Sequence, residues 1–358
     1  MFHPYLSQRG VLMRSKNIPL SVAWELTLTC NMRCMHCGSS AGETRIHELT
    51  THEALNLCSQ LQELHAKYIN LTGGEALLRK DWYDISKEIR NLGMEVSVLS
   101  NGLVLNENII AKLRSVGVYA IALSLDGGTP KTHDLIRGVP GSFEKCLAGL
   151  EALKKEDLPA TVITTVHKGN IQELPLIRDR IIGKTKAWQI QIAVPIGRFP
   201  KEFILSNEEF YAVALFIAAM KKHYSVKELA VMGAHSIGYH SQVLRNTMVS
   251  PVWKGCQAGI SVLGIQSDGS IKGCLSLPDS FVEGNIRLRR LVDIWEDPSA
   301  FSYNRDCTRS DLKEHCASCR FGKTCKGGCT TVSASLTGAP HNDPYCLYLL
   351  ETQMLSRK

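Results

Sequence analysis

Cys30-Asn31-Met32-Arg33-Cys34-Met35-His36-Cys37 sets three thiols within eight residues, directly behind the strand-like run Val22-Ala23-Trp24-Glu25-Leu26-Thr27-Leu28-Thr29. Such density reads as a metal site. An ordinary protein-bound four-iron, four-sulfide cube uses four cysteines, so three thiolates from one short loop would leave one iron open to bind something else. Two bland readings stand beside it: Cys34 and Cys37 as half of a zinc site, and the trio as ordinary buried thiols.

Outward from that loop, residues 21–224 alternate short apolar runs with amphipathic stretches of helical period. Strands are expected over 22–29, 68–72, 95–100, 118–125, 160–167 and 188–195, with helices near 50–66, 81–91, 107–115, 142–154 and 207–222. This predicts an α/β chain, a partial (β/α)6 TIM-like barrel whose active site lies at the C-terminal ends of the strands. Those ends carry polar residues: 30–37, Gly73-Gly74-Glu75, Ser100-Asn101-Gly102, Ser124 to Asp126, Thr164 to His167, and Gln191 with Arg198. Cys58 and Cys146 fall on apolar helix stripes and read as small buried hydrophobes. The expected organisation is an N-terminal extension over 1–20, the barrel over 21–224, a bridging stretch over 225–255 and a cysteine-rich domain over 256–350. No fold is assigned to 231–247.

At 358 residues the chain exceeds a typical single core. Its 44% apolar and 21% charged content are those of a soluble globular protein. The net charge of +7 suits an acidic peptide or another anionic partner, but no basic run and only 7% aromatics argue against nucleic acid. No secretory h-region or 18-residue apolar span is evident, so a cytoplasmic protein without membrane contact is expected. Thirteen cysteines in a reducing compartment point to metal or redox sites over disulfides.

Eight of those cysteines follow residue 255, spaced Cys256-x12-Gly269-x4-Cys274, then Cys316-x2-Cys319-x5-Cys325-x3-Cys329, then Cys346, with Cys307 outside the pattern. Residues 260–275 read as a hairpin turning at Ser267-Asp268-Gly269-Ser270, which brings Cys256 and Cys274 to one end. A pair of zinc knuckles is the bland alternative.

The three-cysteine loop, Gly73-Gly74-Glu75 one βα unit later, and the seven-cysteine field together resemble the radical S-adenosylmethionine (SAM) superfamily with a C-terminal SPASM domain, over residues 20–350. The resemblance implies a SAM-binding 4Fe-4S cluster on Cys30, Cys34 and Cys37, with SAM on the open iron. It implies that Gly73, Gly74 and Glu75 hold the SAM amino group, the glycines letting backbone approach the ligand. His36 would lie near the adenine, Ser100 and Asn101 at the ribose, and Ser124 and Arg137 at the SAM carboxylate. Thr165, Gln191 and Arg198 would line the cofactor or substrate rim. For His36 a solvent-facing loop residue, and for Arg137 a surface residue at a helix start, remain the alternatives.

Two auxiliary 4Fe-4S clusters are implied as well, the nearer on Cys256, Cys274 and Cys329 and the distal on Cys316, Cys319, Cys325 and Cys346. The nearer one is a ligand short, which Cys307, an open iron or a non-cysteine group would explain. The implied chemistry is reductive cleavage of SAM to a 5′-deoxyadenosyl radical and hydrogen-atom abstraction from a substrate C–H. The first expectation is an oxidative cross-link or thioether on a ribosomally synthesised peptide, with flavodoxin or ferredoxin as electron donor. Alternatives are peptide epimerisation with Cys307 as catalytic hydrogen donor, dehydrogenation of a sugar or cyclitol, and an electron-transfer protein without turnover. Leu275 stands where sulfatase-maturating members carry an aspartate, which disfavours that substrate. About twenty residues precede the first strand, so no leader-binding domain is expected there, which weakens the peptide reading.

Overall fold

Six strands form where the βα pattern places them: β1 (Ser21–Thr27), β2 (Tyr68–Gly73), β3 (Glu95–Ser100), β4 (Ala120–Ser124), β5 (Ala160–Val166) and β6 (Ala187–Ile192). The computed structural model describes residues 17–234, 237–244 and 253–356; most of the expected N-terminal extension and part of the bridging stretch lie outside them. The helices α1 (Thr51–Glu63), α2 (Trp82–Asn91), α3 (Glu107–Val116), α4 (Pro130–Arg137), α5 (Ser142–Lys155), α6 (Leu174–Ile181) and α7 (Asn207–His223) intervene or follow. Local chemistry sets their ends. Thr50 and Glu53 form a capping box at α1, Ser206 and Glu209 another at α7, and Gly117 takes a left-handed conformation (φ 69°) to stop α3.

Strand alternation divides the two faces. Trp188, Ile190 and Ile192 of β6 are buried, while Gln189 and Gln191 face the cavity inside the barrel. A polar inner face next to an apolar outer one is what a site-bearing barrel requires.

The sheet is larger than the expected six strands. Residues 230–233, at the start of the unassigned stretch and one residue before it, form β7 (Ala230–Gly233), parallel to β6. Four residues with one buried valine, Val231, carry too little pattern to be seen in sequence. The expected hairpin forms as β8 (Val262–Ile265) and β9 (Ser270–Lys272), antiparallel, with Gly269 at φ 86° in the turn. β8 also pairs in parallel with β1, and β10 (Gly284–Asn285) extends the far edge. One ten-stranded sheet results, in the order β10-β9-β8-β1-β2-β3-β4-β5-β6-β7.

Helix α4 is a second difference. Its buried side chains are His133, Ile136 and Arg137, two of them polar, so no apolar stripe announces it. The remaining signal is Thr129 as N-cap with Pro130 at the first turn. No described helix is long and apolar enough to cross a membrane.

Candidate functional site

The C-terminal ends of the parallel strands surround a cavity of about 600 Å³. Cys30, Cys34 and Cys37 line it, as do Gly73 and Gly74 from β2. Ser100, Asn101 and Ser124 from the ends of β3 and β4 line it too, with Thr165 and Gln191 from β5 and β6. Cys256, Cys274 and Cys329 line the same cavity, although about 220 residues or more separate them from the first loop. All thirteen cysteines are free thiols.

Three neighbouring elements hold the cysteine loop. The end of α4 receives Met35 N–H on the Ile136 carbonyl (2.9 Å), and Gly138, at φ 70°, lets the chain pass Arg33. Behind β6, Arg198 donates to the carbonyls of Cys34 (3.2 Å) and Ala41 (2.6 Å), and its own N–H meets Cys37 O (3.1 Å). A Cβ on Gly197 would lie 2.2 Å from Cys37 O, so only glycine permits this approach. From β3, Asn101 Nδ2 donates to Asn31 Oδ1 (2.7 Å). Arg198, expected at the rim, is thus spent on loop backbone.

Asp126, expected only as one of the polar strand ends, is the hub of the site; its partners were not foreseen. It is 1% exposed and pairs with Arg137 Nη2 (2.9 Å) and His36 Nε2 (3.4 Å), while Oδ1 accepts from Thr165 N–H (2.8 Å). Burial raises its pKa, but the charges of Arg137 and the histidines outweigh this and hold it below the ordinary value. Arg137 Nη1 reaches Cys34 Sγ (3.4 Å). The arginine expected at the cofactor carboxylate, or alternatively at the surface, is therefore buried and engaged by Asp126 and Cys34. Its Nε is buried without a partner among the described residues, as is His36 Nδ1. Burial pushes His36 down to about 4, so it is neutral at physiological pH. The available signal was Asp126-Gly127 one short helix before Arg137-Gly138.

Glu75, expected at the SAM amino group, sits just past Gly74 at the end of β2. Its carboxylate is fully buried, accepts from Asn101 N–H (2.7 Å) and Leu77 N–H (3.2 Å), and is absent from the cavity wall. Burial lifts its pKa to about 7 against those donors. Gly73 and Gly74 also answer to packing: a Cβ on either would lie 2.3 Å from Thr27 O or Thr29 O at the end of β1.

Cys307 does not line the cavity. It meets His341 Nδ1 (3.5 Å) and feels Lys326 and Asp311, so neither a hydrogen-donor position nor membership of the nearer set follows. Cys316, Cys319, Cys325 and Cys346 feel one another's charge and form a second group off the cavity. Cys58 and Cys146 are fully buried, their thiols pushed up to about 12 by burial, as expected for inert residues. Among the described residues, no three Cys, His, Asp or Glu side chains converge on a single-ion position; what the six cavity thiols share is the cavity they line.

Comparison with known proteins agrees with this arrangement. Residues 24–181 match the radical SAM superfamily model, and residues 256–320 the SPASM iron–sulfur cluster-binding domain. An AdoMet-dependent heme synthase of Methanosarcina barkeri (strain Fusaro / DSM 804) is 32% identical over 345 residues, covering 93% of this chain and 97% of the relative. The chain belongs to the radical SAM superfamily. It is a radical SAM/SPASM enzyme, and membership implies SAM and iron–sulfur clusters as its cofactors. A mycofactocin maturase, MftC, of Mycobacterium ulcerans (strain Agy99) is 27% identical, covering 92% of this chain and 88% of the relative. In fold, this radical SAM chain resembles Streptococcus suis SuiB bound to the precursor peptide SuiA (TM-score 0.74, 16% identity, 92% and 76% coverage). It also resembles anSMEcpe with bound AdoMet (TM-score 0.71, 18% identity, 95% and 97% coverage). The residues present fit the implied groups: free thiols lining one cavity, strand-end backbone at Gly73 and Gly74, and two buried donor-capable nitrogens without partners among the described residues.

Proposed function

We propose that this enzyme abstracts a hydrogen atom from a C–H bond of a ribosomally synthesised peptide held in the cavity and completes an oxidative modification, a cross-link or thioether. The carrying observation is that one cavity joins the Cys30/Cys34/Cys37 loop to Cys256, Cys274 and Cys329. Cys30, Cys34 and Cys37 would hold the SAM-binding cluster, Cys256, Cys274 and Cys329 the nearer auxiliary cluster, and Cys316, Cys319, Cys325 and Cys346 the distal one. When bound, these groups supply a 5′-deoxyadenosyl radical and a place for the substrate's electron.

The chain's own residues do the positioning. Arg198, Asn101 and the end of α4 fix the loop, Asp126 orients Arg137 and His36, and Ser100, Asn101 and Ser124 present polar atoms to the cofactor side. Across the cavity, Gln191 donates to Thr165 Oγ1 (3.0 Å) and Gln189 to Gln191 Oε1 (3.3 Å), an uncharged amide and hydroxyl face. Such a face suits peptide amides. Arg137 and Arg198, the arginines among the described lining residues, are already engaged, which disfavours a polycarboxylate. The peptide reading also has the maturase relatives behind it. Cys307 stands off the cavity, which weakens epimerisation.

A tetrapyrrole substrate is the second reading, favoured by the heme synthase relative that spans nearly the whole chain. Anaerobic incubation with SAM and a reductant such as flavodoxin or ferredoxin tests both. A peptide that loses two hydrogens as 5′-deoxyadenosine forms supports the first; turnover with an iron porphyrin and none with peptides would replace it.

A further inference from the structure

The phenol of Tyr303 lies in a place that its own packing does not explain. Its oxygen is buried and, among the described residues, finds no acceptor; the Gly273 N–H beside it can only donate to it. It is wedged against the chain segments that carry two cysteines of the nearer auxiliary set. A Cβ on Gly273, the residue before Cys274, would lie 2.3 Å from this oxygen, and also close to Ala258 and Gly259, just beyond Cys256. The ionisable neighbours it faces are Cys256, Cys274 and Glu283. Glu283 is turned elsewhere, its Oε1 accepting from Phe301 N–H (2.9 Å). The ring itself is held edge-on against Phe281 (5.0 Å, 89°), which fixes the hydroxyl's direction. A buried hydroxyl without an acceptor is destabilising, so the site calls for an acceptor between Cys256 and Cys274.

We propose that the Tyr303 hydroxyl donates a hydrogen bond to the sulfur of the nearer auxiliary cluster and raises that cluster's reduction potential. The inference rests on the reading of Cys256, Cys274 and Cys329 as holders of that cluster. A donor on sulfur favours the reduced, more negative form, as hydrogen bonding does in iron–sulfur sites generally. Tyr303 is therefore a tuning residue, separate from the groups that line the cavity.

The test is Tyr303→Phe in the anaerobically reconstituted full chain, read by redox titration with electron paramagnetic resonance. One cluster's midpoint should shift negative, the other two should keep theirs, and iron content should be unchanged. Three unmoved midpoints would overturn the assignment, as would loss of iron, which marks a ligand or a fold defect. Phe281→Leu loosens the ring and keeps the hydroxyl; an equal shift there would assign the effect to packing and also overturn it. The iron count of the wild-type chain reports separately whether the nearer cluster exists, so failure of the underlying reading is distinguishable from failure of the tyrosine's role.

Discussion

Asp126 shows how one carboxylate can organise a site whose chemistry lies elsewhere. It is buried, and it faces a guanidinium, an imidazole and a backbone N–H at once. Changing Asp126 to Asn removes the charge and leaves Arg137 buried against a neutral partner. A cost of about 3–5 kcal/mol in chemical denaturation is expected, together with slower SAM cleavage. Glu75 gives a prediction of pH dependence. Its folded pKa, about 7, lies above the unfolded value of about 4.5, so the native state binds the extra proton between them. Stability from this group is present below pH 4.5 and is lost as pH rises through 7. Measured against Glu75→Gln, which cannot ionise, the wild type should lose about 3 kcal/mol of relative stability across that window. A relative stability that rises with pH would contradict the burial argument.

At the scale of elements, the glycines at the end of β2 matter for how closely two strand ends approach. Gly74 N–H reaches Thr27 O and Glu75 N–H reaches Thr29 O, both at 2.8 Å. Gly74→Ala should cost about 1–3 kcal/mol and lower the iron bound at the neighbouring loop, read by thermal melts and iron assay. The β8–β10 segment is tied to the barrel by two contacts of unequal weight, one at the β8–β9 turn and one just past β10. Glu25 accepts from Arg45 Nε (2.7 Å) and Ser267 Oγ (3.0 Å) where water is nearly excluded, whereas Arg287 and Glu53 pair at the surface. Glu25→Gln should cost about 3 kcal/mol and Arg287→Ala less than about 1, compared in urea. The cysteine spacing and the strand alternation made the loop, the hairpin and six strands legible. Other features were hidden for stated physical reasons: α4 buries polar side chains, β7 is four residues long, and the direction of Glu75's carboxylate is set by Asn101 and Leu77, contacts no local pattern encodes.

For the whole molecule, the sequence suggested a barrel with an appended cysteine-rich domain, and the backbone joins them into one sheet. β8 pairs residue for residue with β1, Ser21 opposite Val262 through Trp24 opposite Ile265. A single apolar core runs from Val22 and Trp24 through Leu263 and Ile265 to Trp295 and Leu350. This continuity brings Cys256 and Cys274 to the cavity that Cys30 also lines, so the common cavity depends on the β1–β8 seam. If the two parts docked as separate domains, the seam would open first, because inter-domain contacts are weaker than a core. A shared core should instead lose structure as one cooperative unit. Hydrogen exchange at increasing urea, read by mass spectrometry on peptides covering β1 and β8, should therefore show both strands losing protection at the same denaturant concentration. Early loss at β8 with β1 still protected would mean that the cavity is assembled by docking, and the wall joining the two sets of thiols would then be able to open.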